Sequence, residues 1–170
     1  MAGRQSGNVL VFVLVAYLII LTLGAASLRV AFLEMKQSEY AFKWKQAGQA
    51  CQAGIEDTME KIFMQLLNQA DADELPVMAV PAGGPYQYSA DASCYYVLEP
   101  EGAVLRDWND EACTYEFSCT GWAGESRFRM RVTCQYLYYK LYEDDGSGRP
   151  RFIKREFRNR GNATRCEIER

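Results

Sequence analysis

From Val9 to Ala26 nearly every position is apolar, and no charge falls between Arg4 and Arg29. Roughly 20 apolar helical residues cross a bilayer's hydrocarbon core, so this run is long enough to span one. Lipid offers the backbone no hydrogen-bond partners, which makes the run a helix despite its β-branched residues. It is also longer than the roughly 7–15 residue core of a cleaved secretory signal. The small residues Gly24, Ala25, Ala26 and Ser27 do not end it, because the helical pattern continues past them. The pattern predicts a short polar leader at 1–7 and a membrane helix at 8–28.

Past residue 28 the periodicity changes but the helix does not stop. Leu28, Phe32, Met35, Tyr40, Trp44, Ala47, Cys51, Ile55, Met59, Ile62 and Leu66 recur mostly at three- and four-residue steps, with charged and amide residues between them. That is one apolar stripe on a helix. No proline occurs from Met1 to Leu75 to break it. An amphipathic extension at 29–69 follows, its apolar face expected to be covered by the chain's own domain. A helix from about residue 8 to 68 is roughly 90 Å long at 1.5 Å per residue.

Three prolines and two glycines between 69 and 85 predict a connecting loop at 70–85, and the period then shortens to two. Residues 86–170 therefore read as a β-rich domain, giving an α+β fold: a long N-terminal helix and a small antiparallel sheet packed on it. Residues 94–98 and 103–108 are short strand candidates. The clearest signal is the pair 113–121 and 126–134. Cys113, Tyr115, Phe117 and Cys119 share one face, and Phe128, Met130, Val132 and Cys134 share another, with Arg127, Arg129 and Arg131 opposite. A turn centred on Ala123 and Gly124 sets Cys119 against Phe128, Phe117 against Met130, Tyr115 against Val132 and Cys113 against Cys134. Directly opposed residues stand about 4.5–5.5 Å apart, so Cys113 and Cys134 are expected to form a disulfide. After Cys134 the apolar set moves to Leu137, Tyr139 and Leu141, predicting a bulge near Gln135 or Tyr136. A strand returns at 151–157 and a last short one at 163–168.

Six cysteines, five of them in the β-rich domain and none in a C-x-x-C pair, fit an oxidising location; partners for Cys51, Cys94, Cys119 and Cys166 stay open. The chain has no histidine, which removes the commonest general base and the Ser–His and Cys–His nucleophile pairs. No glycine-rich phosphate loop is present, so no enzyme, cofactor or metal site is expected. The acidic turn at 143–150 lacks the twelve-residue calcium spacing of an EF-hand, and a solvated turn explains the same residues. Asn162, Ala163 and Thr164 fit a glycosylation sequon that is frequent by chance. The net charge of −3 is uneven: carboxylates crowd 71–111, and arginines crowd 149–170. Arg151, Lys154, Arg155 and Arg158 are candidate nucleic-acid contacts, with Phe152 or Phe157 to stack, although paired strands would divide them between two faces.

The leader MAGRQSG, the abrupt apolar run from Asn8, the stretch QAGQACQAGIE at 46–56 and the hairpin YEFSCTGWAGESR at 115–127 together resemble type IV pilin-like proteins. Within that superfamily the chain is most similar to PilX-type minor pilins. The resemblance covers about residues 4–60 and, loosely, the hairpin. It implies cleavage by a prepilin peptidase between Gly7 and Asn8, and methylation of Asn8. It further implies residence in the cytoplasmic membrane with the domain outside, then assembly into a cell-surface filament through the N-terminal helix. Phe12, Leu28, Phe32, Trp44, Cys51 and Ile55 are the helix-packing residues on this reading, and the partners are other pilin subunits, the peptidase and membrane lipid. Phe12 stands where major pilins carry a glutamate, which points to a minor or tip subunit. Arg29, Lys36, Lys43 and Lys45 outnumber Arg4, so the positive-inside count does not favour an outward domain; the cysteines and the leader do. The alternative is a single-span anchored extracytoplasmic binding module unrelated to pili.

Overall fold

The computed structural model describes residues 5–72, 74–90, 92–99, 101–144 and 150–169, with side chains from residue 9 onward. One helix, α1 (Gln5–Asn68), is followed by an antiparallel sheet packed against it. The eight strands are β1 (Met78–Val80), β2 (Gly83–Gln87), β3 (Cys94–Leu98), β4 (Ala103–Trp108), β5 (Ala112–Ala123), β6 (Ser126–Asp144), β7 (Pro150–Phe157) and β8 (Asn162–Glu169). The chain divides into two compact units, Met1–Phe42 and Lys43–Arg170. In the first, every described side chain of the helix is exposed.

In the second unit the β5–β6 hairpin is the spine. On its β5 side β4 and β3 pair end to end, extended by β1 and β2 respectively; on its β6 side β8 and β7 do the same. The last turns of α1 lie on the inner face. Ala47, Ala50, Cys51, Ile55, Thr58, Ile62 and Leu66 are buried there with Tyr96, Leu98, Tyr115, Phe117, Cys119, Val132, Cys134 and Tyr136. Three polar contacts fix the seating: Cys51 Sγ donates to Cys119 O at 3.2 Å, Tyr96 Oη to Asp57 Oδ2 at 2.6 Å, and Tyr136 Oη to Met59 O at 2.8 Å. The helix end is held by Arg155, whose backbone N–H donates to Ala70 O at 2.7 Å and whose guanidinium donates to Ala72 O.

Four expectations need correction. The hairpin register is shifted by two residues: Cys119 faces Met130, Phe117 faces Val132, Tyr115 faces Cys134, and Cys113 faces Tyr136. The turn is centred on Gly124 and Glu125, with Gly124 at φ +57°. Glycine at the first central position is the requirement of a two-residue II′ turn, so the loop sits one residue later than the centre assumed from sequence. A shift of two preserves which side chains face inward. It does remove the Cys113–Cys134 pairing, because those residues now stand diagonally, about 7–8 Å apart at Cα. Both are free thiols.

The bulge near Gln135 is also absent. The β5–β6 ladder runs unbroken to Leu137, and Tyr136 and Tyr138 keep the inward parity. Their rings fill the core while each hydroxyl finds a carbonyl, Met59 O or Asn109 O, so tyrosine behaves here as an inward residue. β6 instead shifts register against β8 at Thr133 and against β7 at Leu141. Two strands, β1 and most of β2, occupy the segment read as loop. The apolar stripe is covered only from Ala47 onward: Leu28, Phe32, Met35 and Tyr40 are all exposed.

Candidate membrane and assembly surface

The first unit presents an apolar rod. Phe12 is 76% exposed, Leu28 74% and Phe32 58%, and the large side chains from Val9 to Leu23 are at least about half exposed. Isolated soluble domains rarely show contiguous apolar patches beyond a few hundred Å². This helix is long and apolar enough near its N-terminus to cross a membrane. Two of its hydroxyls suit that medium: Thr22 Oγ1 donates to Ile19 O and Ser27 Oγ to Leu23 O, both at 2.9 Å, so neither asks for water. Beyond Arg29, where charge begins, Lys36 Nζ lies 4.9 Å over the Phe32 ring. Gly7 and Asn8 lie on the helical backbone, and residues 1–4 of the leader fall outside the described residues.

In the second unit the predicted packing residues take different roles. Cys51 and Ile55 are core. Trp44 stands 55% exposed at the mouth of a groove, its ring edge-on to Phe128 at 5.0 Å. The groove, about 530 Å³, runs between the helix (Gly48, Gln52, Ile55, Met59) and the β6–β8 pair (Met130, Cys166). Its lining is mostly apolar, and the exposed edge strand β8 forms one wall. Close approach of helix and sheet beside it depends on glycine. A Cβ on Gly121 would fall 2.9 Å from Cys51 Cα, and one on Gly54 would fall 2.6 Å from Cys119 Sγ.

The four basic candidates do not form one patch. Arg155 is buried, 5.6 Å from the Tyr138 ring and 5.3 Å from that of Phe152, where it holds the end of the helix. The β6–β7 ladder places Arg151 opposite Glu143 and Lys154 opposite Leu141, on the face away from Arg155. Arg158 lies 5.1 Å over the Tyr139 ring, with Glu156 nearby. The division between two faces that paired strands imply is what the ladder gives. Residues 145–149 of the acidic turn lie outside the described residues, and no group of three or more metal-ligating side chains occurs among the described ones.

Two features were missed from sequence. The outer face of the sheet carries a charge lattice in which Glu169 bridges Arg129 and Arg131, each at 2.7 Å, while Glu116 meets Arg106 at 3.2 Å and Arg131 at 3.7 Å. The alternation of Arg127, Arg129 and Arg131 signalled an outer basic row; its acidic partners come from strands whose register was not derivable. The second is the Asp57 site. Burial pushes its carboxyl pKa up, but hydrogen bonds from Lys61 and Tyr96 and the ammonium's charge outweigh that and leave it below the usual value. No protein-family model matches the chain, and comparison with curated proteins and solved structures finds no significant match.

Proposed function

We propose that this chain is a minor pilin or pseudopilin-type subunit, a structural rather than catalytic protein, which enters or primes a helical filament after its leader is cut between Gly7 and Asn8. The observation that carries this reading is one continuous helix with two unlike halves. The first, from Val9 to Leu28, is apolar on all sides and exposed; the second, from Ala47 onward, packs on the inner face of the sheet. A subunit stored in a membrane and later extracted into a bundle of identical helices needs both halves on one rod. Lipid covers the first half before assembly and neighbouring helices cover it afterwards.

A single-span anchored extracytoplasmic binding module is the competing reading, because an all-apolar span needs no filament to satisfy it. The two differ in processing. The intact mass of the membrane-extracted chain, with and without a coexpressed prepilin peptidase, separates them. Loss of residues 1–7 plus one added methyl is expected. An unprocessed chain beside an active peptidase would sink the pilin reading.

A further inference from the structure

Among the buried thiols, Cys51 and Cys119 stand out by their placement. Both side chains are fully buried, one on the helix and one on β5. Cys51 Sγ donates to Cys119 O at 3.2 Å, and the two thiols are near enough to shift each other's pKa, that of Cys51 downward and that of Cys119 upward. Glycines on both elements make the approach possible. Gly54, one turn beyond Cys51, leaves the space that Cys119 Sγ fills. Gly121, two residues beyond Cys119, lets the strand lie against the Cys51 backbone. Cys113 and Cys134 face tyrosines instead, Cys94 sits in a separate cluster with Ala47 and Ala123, and Cys166 is exposed on β8.

We infer that Cys51 and Cys119 are a disulfide site that staples the helix to the sheet when the domain meets an oxidising compartment. The oxidant is a protein or low-molecular-weight disulfide. The Cys51 thiolate attacks one of its sulfurs, releasing one thiolate and leaving a mixed disulfide. The Cys119 thiolate then displaces the second, so two protein thiols become one S–S bond and the oxidant leaves as two thiols. Either thiol can take the attacking role, and the bond that results is the same. Both sulfurs are sealed in the folded domain, so the exchange belongs to the stage before the helix seats on the sheet. The inference rests on the outward placement proposed above only for where the bond forms in cells.

The test is thiol mapping of the full chain in detergent. Free thiols are alkylated in denaturant without reductant, and the chain is then cut after Lys, Arg and Glu, which separates Cys119 from Cys113 at Glu116. One arm uses protein extracted from cells. The other uses reduced protein refolded in a glutathione redox buffer. The expected result in both is a cross-linked peptide pair joining Cys51 to Cys119, two hydrogens lighter than the separate peptides, with the other four cysteines alkylated. Alkylated Cys51 and Cys119 in the refolded arm, or either one bonded to a different cysteine, would overturn the site. A bond in the refolded arm but not in cells supports the site and counts against outward placement. Cys51→Ser and Cys119→Ser should each abolish the cross-link and leave the remaining partner alkylated.

Discussion

Gly48 and Gly54 lie on the same helix, six residues apart, yet the same substitution should move stability in opposite directions. Glycine in a helix interior costs about 1 kcal/mol relative to alanine, so propensity alone favours replacement at both positions. At Gly48 an added Cβ would meet nothing nearer than the Phe128 ring at 3.9 Å, an ordinary contact. Gly48→Ala should therefore keep the propensity gain, about 1 kcal/mol. At Gly54 the added Cβ would stand 2.5 Å from the Tyr96 ring and 2.6 Å from Cys119 Sγ, where ordinary contact begins at 3.4 Å. Neither neighbour is the free end of a flexible chain. Tyr96 is tied through its hydroxyl to Asp57, and Cys119 is held within β5. The helix must retreat by nearly 1 Å, and overpacking of this kind costs about 3 kcal/mol at the upper end of its usual range. Gly54→Ala should thus lose about 2 kcal/mol net, a separation of about 3 kcal/mol between the variants.

Unfolding of the full chain in detergent, followed by near-UV circular dichroism of the buried tyrosines, reads this directly. At about 3–5 °C per kcal/mol the two midpoints should differ by about 10 °C or more. A Gly54→Ala protein as stable as the parent would refute the seating. It would mean that the helix stands further from the sheet than the Cys51 and Cys119 contacts require.

Three further outcomes follow from the same core. Arg155→Ala should cost about 2 kcal/mol or more, because it removes a buried cation over two rings and the hold on Ala72. Arg158→Ala, at the surface, should stay within about 0.5 kcal/mol, both read as urea midpoints. Alkaline pH should destabilise the reduced domain. Burial pushes the Cys113 thiol up to about 12 and that of Cys134 up to about 11, from 9.0, so above pH 9 the unfolded chain has lost protons that the native one keeps. Stability then falls by up to about 1.4 kcal/mol per pH unit for each thiol, while a flat profile from pH 8 to 10.5 would contradict their burial. If the Cys51–Cys119 bond forms, it closes a loop between residues 68 apart, and reduction should cost about 4 kcal/mol by chain entropy, visible as a lower unfolding midpoint in reductant.

The helix was legible because lipid-length apolarity and a proline-free stretch each point to the same element. The inner faces of β5 and β6 were legible because a period of two survives any even shift. What failed was whatever depends on where the turn falls or on the parity kept beyond Cys134. Gly124 takes the first central turn position rather than the second, and that moved every partner by two and undid Cys113–Cys134. Tyr136 and Tyr138 were left off the inner face because Leu137, Tyr139 and Leu141 were read as the apolar set beyond Cys134. The ring decides, since Met59 O and Asn109 O satisfy the hydroxyls inside. Arg155 was assigned to a basic patch by its neighbours in sequence, yet it lies among rings at the end of the helix. No local pattern announces that. The proximity of Cys51 and Cys119 had half a signal: both sit on faces that periodicity turns inward, but where a helix docks along a strand is set by Gly54 and Gly121 together.

That docking depends on side-chain size more than on apolar character. A helix apolar on all sides would bury against its own sheet as readily as against lipid if side-chain character alone chose the contact. The choice is made by size instead. Between 47 and 54 the helix offers Ala47, Gly48, Ala50, Cys51 and Gly54, small enough for the strand at Gly121 to reach its backbone. Gly24, Ala25, Ala26 and Ser27 are equally small, so the seat needs its second half as well, the bare backbone of β5 at Gly121. The narrow seat takes one partner in one register. From Val9 to Leu23 no such seat is offered, and the helix presents exposed apolar side chains over a length sufficient to cross a membrane.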